Sequence, residues 1–226
     1  MSVLSVFDAS LQLQVTTGRV RQLIENGALR AQKVGSQWII QDIDLAAFGK
    51  RSNGRPWSSA AAWGVIARAL DRPTPWLSGR ERSRADERLA KGVGAIVDKL
   101  SFRAQRSEFR AHPSALARMQ NDPRWVAGGV SAAVFVGADL VVGDDVIEGY
   151  MRTDDLNEAR IEFGLIEPGR SSANVILHSY SGVEPFALAE RSVPLLVVAL
   201  DLLEHSDERS KRAGRGLLRS FEAKRA

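Results

Sequence analysis

The feature that most constrains the fold is the order of hydrophobic periods within residues 4–48. Val6, Ala9 and Leu13 recur at spacings of three and four residues, which places them on one face of a short helix. Ser5 stands directly before this segment and is a favourable N-cap for it. The chain is therefore expected to begin with a helix that buries one side.

A second helix is expected over residues 17–26, after a short turn. Thr16 is a good N-cap for this helix, and Gly27 ends it because glycine adopts the left-handed C-cap conformation without strain. Its inward positions are apolar, namely Val20, Leu23 and Ile24. Its outward positions carry donor groups or no side chain at all, namely Thr17, Gly18, Arg19, Arg21 and Gln22.

A tight hairpin is predicted after the second helix. Residues 29–34 and 37–40 alternate in polarity on either side of Gly35 and Ser36, which predicts two short strands joined by a turn. We expect Trp38 and Ile40 to cover the helix pair. The polar side chains at the tip are Lys33, Ser36 and Gln37, and a short helix is expected to close the region over residues 42–48.

A basic linker is expected between this region and the rest of the chain. Residues 51–56 include Asn, Gly and Pro, which break regular structure, and Arg51 and Arg55 would lie along phosphates of a polyanion. A chain of 226 residues is long enough for two domains. The predicted division is a domain over 1–50, a linker over 51–56 and a second domain over 57–226.

The outward side of the second helix has the chemistry that reading base edges requires. Arginine pairs bidentately with guanine, glutamine with adenine, and threonine holds phosphate. Gly18 leaves room for a duplex backbone at some cost to the helix, and the hairpin tip is placed to touch flanking phosphates or the minor groove. The predicted DNA-binding residues are Thr16, Thr17, Gly18, Arg19, Arg21, Gln22, Lys33, Ser36, Gln37, Arg51 and Arg55.

Residues 4–48 resemble the winged helix-turn-helix modules of the excisionase and MerR type. The residues that carry the resemblance are Val6, Ala9, Leu13, Val15, Val20-Arg21-Gln22-Leu23-Ile24, Gly27, Leu29, Val34-Gly35 and Trp38. The resemblance covers about a fifth of the chain. It implies a DNA-binding domain whose second helix enters the major groove and whose hairpin forms the wing.

The net charge of +4 conceals segments of opposite sign. Residues 54–126 carry 14 Lys and Arg against 7 Asp and Glu, whereas residues 127–208 carry 4 against 15. Residues 209–226 are basic again, with 7 against 1. A basic front half suits a polyanion and an acidic region does not, so the charge pattern indicates one task on DNA and another elsewhere.

The second domain is expected to combine helices with a small mixed sheet, which gives an α+β fold overall. Ser58 and a capping box from Ser78 to Glu81 mark two helix starts. The other predicted elements are a strand or hairpin within 102–112, a helix over 113–119, a helix from 129, a hairpin of 138–143 with 146–151, a helix capped by Thr153, a strand over 173–180, an apolar helix over 194–205 and a basic last helix from 206.

The order of motifs over residues 57–218 looks like the C-terminal domain of AbiEi-type antitoxins, which repress their own operons. The segments that carry this resemblance are 112–116, 129–133, 137–141, 148–150, 174–177 and 198–203, followed by Arg212-Ala213-Gly214. It implies a two-domain antitoxin with an N-terminal DNA reader. The C-terminal domain would oppose a nucleotidyltransferase toxin.

Enzyme chemistry is not indicated by any constellation of residues. Cysteine is absent, so disulfides and thiolate metal sites are excluded, in keeping with a reducing cytoplasm. The three histidines, His112, His178 and His205, lie too far apart in sequence to indicate a metal site, and structural or surface roles are expected. We expect no cofactor, no metal and no catalytic residue.

The sequence thus predicts a cytoplasmic, sequence-specific repressor that binds operator DNA as a homodimer and pairs with a cognate toxin protein, with no membrane contact. The N-terminus has no signal-peptide pattern, and the apolar run 193–203 is too short to span a bilayer. Two other functions fit the same module. One is an excisionase-like accessory protein that bends DNA, and the other is a one-component regulator whose acidic domain binds a small ligand.

Overall fold

The computed structural model divides the chain into two compact parts. The described residues are 3–13, 15–25, 29–35, 37–41, 44–45, 48, 57–140, 143, 145–169, 172–187 and 190–225. Spatial contacts separate an N-terminal unit, residues 1–55, from a C-terminal unit, residues 56–226. Both units combine helices with a small sheet, which confirms the mixed α and β class. The predicted linker over 51–56 and the predicted helix end at Gly27 lie outside the described residues.

The N-terminal unit begins with a strand that precedes the first helix. Its elements are β1 (Val3–Ser5), α1 (Val6–Leu13), α2 (Thr17–Glu25), β2 (Gln32–Val34) and β3 (Gln37–Gln41). The strands form an antiparallel sheet in the order β1-β3-β2, with Leu4 opposite Ile40 and Lys33 opposite Trp38. The β2–β3 hairpin was predicted, and β1 was not.

One apolar core holds the N-terminal unit together. Ala9 of α1, Val20 of α2 and Ile40 of β3 are fully buried, because each lies on the inward face of its element. Leu29 joins them after α2, and Trp38 packs against the same core while remaining partly exposed. The predicted inward faces of both helices and of the hairpin are therefore confirmed.

Ser5 caps α1, as predicted from the sequence. Its hydroxyl accepts a hydrogen bond from the Asp8 N–H at 3.1 Å, and the Asp8 carboxylate accepts one from the Ser5 N–H at 3.0 Å. These reciprocal bonds satisfy two backbone donors that the helix start would otherwise leave unpaired. They also hold the pKa of Asp8 below its ordinary value.

The C-terminal unit surrounds a four-stranded sheet with helices. Its helices are α3 (Ser59–Ala69), α4 (Gly79–Leu89), α5 (Val97–Leu100), α6 (Pro113–Gln120), α7 (Gly129–Ala133), α8 (Thr153–Glu162), α9 (Leu195–Glu204) and α10 (Glu208–Arg225). The Ser58 cap and the Ser78–Glu81 capping box are present, which confirms both predicted helix starts. Each cap supplies an acceptor to a backbone N–H of the first turn.

The sheet has the order β4-β7-β6-β5. Its strands are β4 (Gln105–Phe109), β5 (Val126–Ala127), β6 (Ile147–Arg152) and β7 (Val175–Tyr180). Among the described strands, β6 and β7 pair in parallel, and the β4–β7 and β5–β6 pairs are antiparallel. One face of the sheet packs on α6 and α8 through Met119, Met151, Ala159 and Leu177. The other face packs on α3, α9 and α10 through Trp63, Tyr150, Tyr180, Val197 and Leu217.

Two predictions for the C-terminal unit are wrong. Residues 138–140 belong to no strand, and β6 pairs with β5 on one edge and β7 on the other, so the expected hairpin of 138–143 with 146–151 does not form. Thr153 is the first residue of α8 and does not cap it; its hydroxyl donates to the Tyr180 carbonyl at 3.1 Å, which ties the helix to β7.

Candidate nucleic-acid interface

The second helix of the N-terminal unit is fixed at its start by a threonine cap. The Thr16 hydroxyl accepts a hydrogen bond from the Arg19 N–H at 3.2 Å, and the Thr16 carbonyl accepts one from the Val20 N–H at 3.1 Å. Val20, Leu23 and Ile24 are buried on the inner side of the helix. The cap and the buried side together set which residues of α2 face outward, and both were predicted from the sequence.

The outward side of α2 is polar and open. Gly18, Arg19, Arg21 and Gln22 are exposed, and Thr17 is half-buried. At 100° per residue, Gly18 and Gln22 lie near the middle of this face, with Arg21 on one side and Arg19 on the other. The structure therefore brings together the residues that were predicted to form one surface.

Arg19 and Gln22 form a pair on this surface. A guanidinium nitrogen of Arg19, Nη1, donates to Gln22 Oε1 at 2.5 Å across one helical turn. This bond occupies the oxygen of the Gln22 amide and leaves its NH₂ group as a donor. Arg21 has no hydrogen-bond or ion-pair partner among the described residues. The face thus presents guanidinium and amide donors, which suit acceptors on a nucleic acid.

Gly18 is not required by the packing of the unit. A Cβ atom built at this position would meet only Thr16 Oγ1, at 3.9 Å, and the helix is continuous through it. Glycine inside a helix costs about 0.8–1.0 kcal/mol relative to alanine. A side chain at residue 18 would therefore project from the outward face of α2 without crowding the described unit.

The hairpin tip carries a second set of predicted contacts. Gly35 has a φ of 61°, the left-handed conformation that a two-residue turn requires. Lys33 and Gln37 are exposed on either side of it. The Lys33 ammonium lies 5.7 Å from the centre of the Trp38 ring, directly across the hairpin. Ser36, Arg51 and Arg55, which were predicted to bind DNA, lie outside the described residues.

A buried cluster in the C-terminal unit, formed by Glu148, His178 and His205, was not predicted. Glu148 Oε1 lies 2.8 Å from His178 Nε2, and Glu148 Oε2 lies 2.8 Å from His205 Nε2. Oε2 also accepts the Val130 N–H at 2.9 Å. We call these three side chains the Glu148 cluster. Burial alone would raise the pKa of Glu148, but the hydrogen bonds from both histidines lower it below its ordinary value.

A second buried group adjoins this cluster and centres on Arg103. Its Nε donates to the Tyr150 hydroxyl at 2.8 Å, its Nη1 donates to Glu204 at 2.5 Å, and its Nη2 pairs with Asp201. Asp201 also accepts the Gly129 N–H at 2.9 Å. Burial raises the pKa of Tyr150, which stays a neutral donor to Asp201. We call this set the Arg103 network.

The side chains of both groups are hydrogen-bonded to one another within the C-terminal unit. Glycine is needed at residue 129, because its φ is 40° and a Cβ there would lie 1.8 Å from Glu148 Oε2. His112 has another structural role, since its Nδ1 caps α6 at the Ser114 N–H. Among the described residues no group of three or more His, Asp or Glu side chains has a metal-binding arrangement. None of the described helices is long and apolar enough to cross a membrane.

Searches with this chain against protein-family models, curated protein sequences and solved structures find no match.

Proposed function

We propose that this protein is a sequence-specific DNA-binding repressor whose N-terminal unit is a winged helix-turn-helix module. The observation that carries the proposal is the outward face of α2, where arginine and glutamine donors surround a glycine that the unit itself does not need. A winged helix-turn-helix presents the second of two short helices to a major groove, and the α1–α2 pair with the β2–β3 hairpin supports this assignment. In this proposal α2 reads bases and the β2–β3 hairpin is the wing.

Each side chain has a separate role in the proposal. Arg21, whose guanidinium is unpaired within the described unit, reads guanine through O6 and N7, and the Gln22 amide reads a neighbouring base. Thr16 and Thr17 hold phosphate at the helix start, where backbone N–H groups also favour anions. Lys33 contacts a flanking phosphate, so it adds affinity without choosing a sequence.

The C-terminal unit is proposed to bind a protein partner. Its acidic stretch, residues 127–208, carries 15 acidic against 4 basic residues and would be repelled by a duplex. The resemblance to AbiEi-type antitoxins points to a nucleotidyltransferase toxin as that partner. We therefore propose an autoregulating antitoxin, two copies of which place their recognition helices about 34 Å apart on one operator.

Fluorescence anisotropy with the promoter of the protein's own gene tests the DNA-binding part. Arg19→Ala and Arg21→Ala should each weaken binding by about 1–3 kcal/mol if each contacts a base. Arg152→Ala, which removes an exposed arginine from the acidic stretch of the other unit, is the control and should bind like the wild type. Unchanged binding by the two single variants and by their double variant would disprove the assignment of α2.

The partner is tested separately, by co-expression with the gene directly downstream, which the proposal expects to encode a nucleotidyltransferase-type toxin. Co-purification of the toxin with a fragment of residues 57–226 would support the proposal, once circular dichroism shows that the fragment folds. Co-purification with the full chain but not with a folded fragment would place the partner site elsewhere. The full chain should bind operator DNA whether or not the toxin co-purifies. The DNA-binding part and the partner-binding part of the proposal can therefore fail separately.

A further inference from the structure

The Glu148 cluster joins the sheet to the corner between the last two helices. Glu148 lies on β6 and His178 on the adjacent strand β7, and both are fully buried. His205 follows the last residue of α9, in extended conformation, and its side chain is 11% exposed. The α9–α10 corner is therefore fastened to the sheet through one imidazole that solvent can still reach.

The other nitrogen of His205 faces the start of α10. His205 Nδ1 lies 3.7 Å from Asp207 Oδ2, and Asp207 Oδ1 accepts the Ser210 N–H at 2.8 Å. Asp207 is thus the N-cap of α10, the 18-residue helix that ends the described chain. His205 stands between a carboxylate of the sheet and the carboxylate that begins this helix.

The two protonation states of His205 differ in their interactions with Glu148 and Asp207. Neutral His205 donates through Nε2–H to Glu148, and its Nδ1 then turns a lone pair towards Asp207. Protonated His205 donates from both nitrogens, so the same ring binds Glu148 and attracts Asp207. Uptake of one proton therefore converts a single attachment into a bridge between β6 and the α10 cap.

The charges around His205 favour the bridged state on balance. Arg106 of β4 opposes a proton on the ring, whereas Glu148 and Asp207 favour it. His178 shares the Glu148 carboxylate from β7, and the acidic groups of α9, Asp201 and Glu204, are occupied by Arg103. Burial lowers the pKa of His205, but the hydrogen bond to Glu148 and the charges of Glu148 and Asp207 together outweigh it, so the pKa lies above its ordinary value of 6.5.

We propose that His205 is a proton-operated clip, which fastens the first turn of α10 to the sheet when protonated and loosens it when neutral. This device acts on the C-terminal unit and is independent of the DNA-binding role proposed for α2. Because histidine titrates near neutral pH, the clip changes state within the range of pH that cells experience.

An NMR titration of the full chain is the direct test. The His205 ring signals should report a pKa above 6.5, and Asp207→Asn should lower it measurably, because asparagine keeps the helix cap but removes the charge that faces Nδ1. A merely structural Asp207 would leave the His205 pKa unmoved. Titration of His205 at or below 6.5 in the wild type would overturn the proposal.

Hydrogen exchange tests the mechanical consequence. After correction for intrinsic exchange rates, the amides of residues 210–213 should exchange several-fold faster at pH 8 than at pH 6 in the wild type. In His205→Gln, whose amide still donates to Glu148 but takes up no proton, that difference should vanish. His112→Gln, at the exposed histidine that precedes α6, is the control and should keep the difference. An equal pH response in His205→Gln and wild type would refute the clip.

Discussion

The two units use polar side chains in opposite ways. On α2 of the N-terminal unit, Arg21 and the Gln22 amide group point to solvent with donors that nothing in the described unit uses. In the C-terminal unit, Arg103 and Glu148 are completely buried, and each of them has several hydrogen-bond partners. Polar groups that satisfy one another stabilise a fold, whereas polar groups left open on a rigid helix are available for a ligand.

The largest expected effect is the loss of stability in Arg103→Met, which removes a buried arginine. It leaves Asp201 and Glu204 without their cation, and breaking a buried ion pair from one side costs about 3–5 kcal/mol. Urea unfolding of the full chain should show this loss of stability. The matched control is Arg68→Met, whose pair with Asp86 is 40% and 47% exposed and contributes at most about 1 kcal/mol. Equal losses in the two variants would show that the Arg103 network is not structural.

The next effect concerns two glycines of α10 that lie two residues apart. A Cβ at Gly214 would approach the Ala199 carbonyl to 2.9 Å, so Gly214→Ala should destabilise the C-terminal unit by about 1–3 kcal/mol through overpacking against α9. A Cβ at Gly216 meets nothing within 4 Å, so Gly216→Ala should stabilise the helix by up to about 1 kcal/mol. Thermal unfolding should therefore give shifts of opposite sign, and shifts of the same sign would contradict the described packing of α10.

A smaller effect of the same kind is expected at Gly18, with a different consequence for binding. Gly18→Ala should stabilise the N-terminal unit by about 0.8–1.0 kcal/mol, because the new Cβ has room. It should nevertheless weaken DNA binding, because in the proposed complex the duplex backbone approaches the position that the methyl group would take. Chemical denaturation and anisotropy on the same preparation measure both quantities. A Gly18→Ala variant that is more stable and binds DNA as well as the wild type would contradict the claim that Gly18 makes room for the duplex.

The last comparison concerns the response of the C-terminal unit to acid. The folded-state pKa of Glu148 lies below its ordinary value of 4.5, so its contribution to stability is complete above pH 4.5 and is lost as the pH falls further. Urea midpoints between pH 6 and pH 3 should fall less steeply for Glu148→Gln than for the wild type. If the urea midpoints of the two proteins fell equally steeply with pH, the pKa of Glu148 would not be lowered in the folded state.

The helix caps and the inward face of α2 were predictable because each depends on residues close together in the sequence. The caps at Ser5, Thr16 and Ser78 and the inward face of α2 follow from residues within a few positions of one another. β1 was missed because its three residues are strand only through pairing with β3, more than thirty positions later. β5 was missed for the same reason, because its two residues are strand only through pairing with β6, more than twenty positions later. β5 pairs with the edge of β6 that was predicted to pair with residues 138–143.

The Glu148 cluster and the Arg103 network could not be predicted from the sequence for a similar reason. Glu148 meets His178 and His205 across separations of 30 and 57 residues, and Arg103 meets Asp201 across 98. No spacing rule connects such positions, because the parallel strand pair and the α9–α10 corner bring them together. The outward residues of α2 were predictable since one helix is enough to place them on a common face.

The most direct test of the DNA-reading claim is the ratio of affinities for the operator and for a scrambled duplex. Arg21→Ala should lower affinity for the operator by about 5-fold to 150-fold and leave the scrambled duplex nearly unaffected, whereas Lys33→Ala should weaken both equally and reduce the salt slope by about one. This result would separate a base-reading helix from a phosphate-binding wing. An unchanged ratio in Arg21→Ala, with both duplexes weakened alike, would contradict the claim that α2 reads sequence.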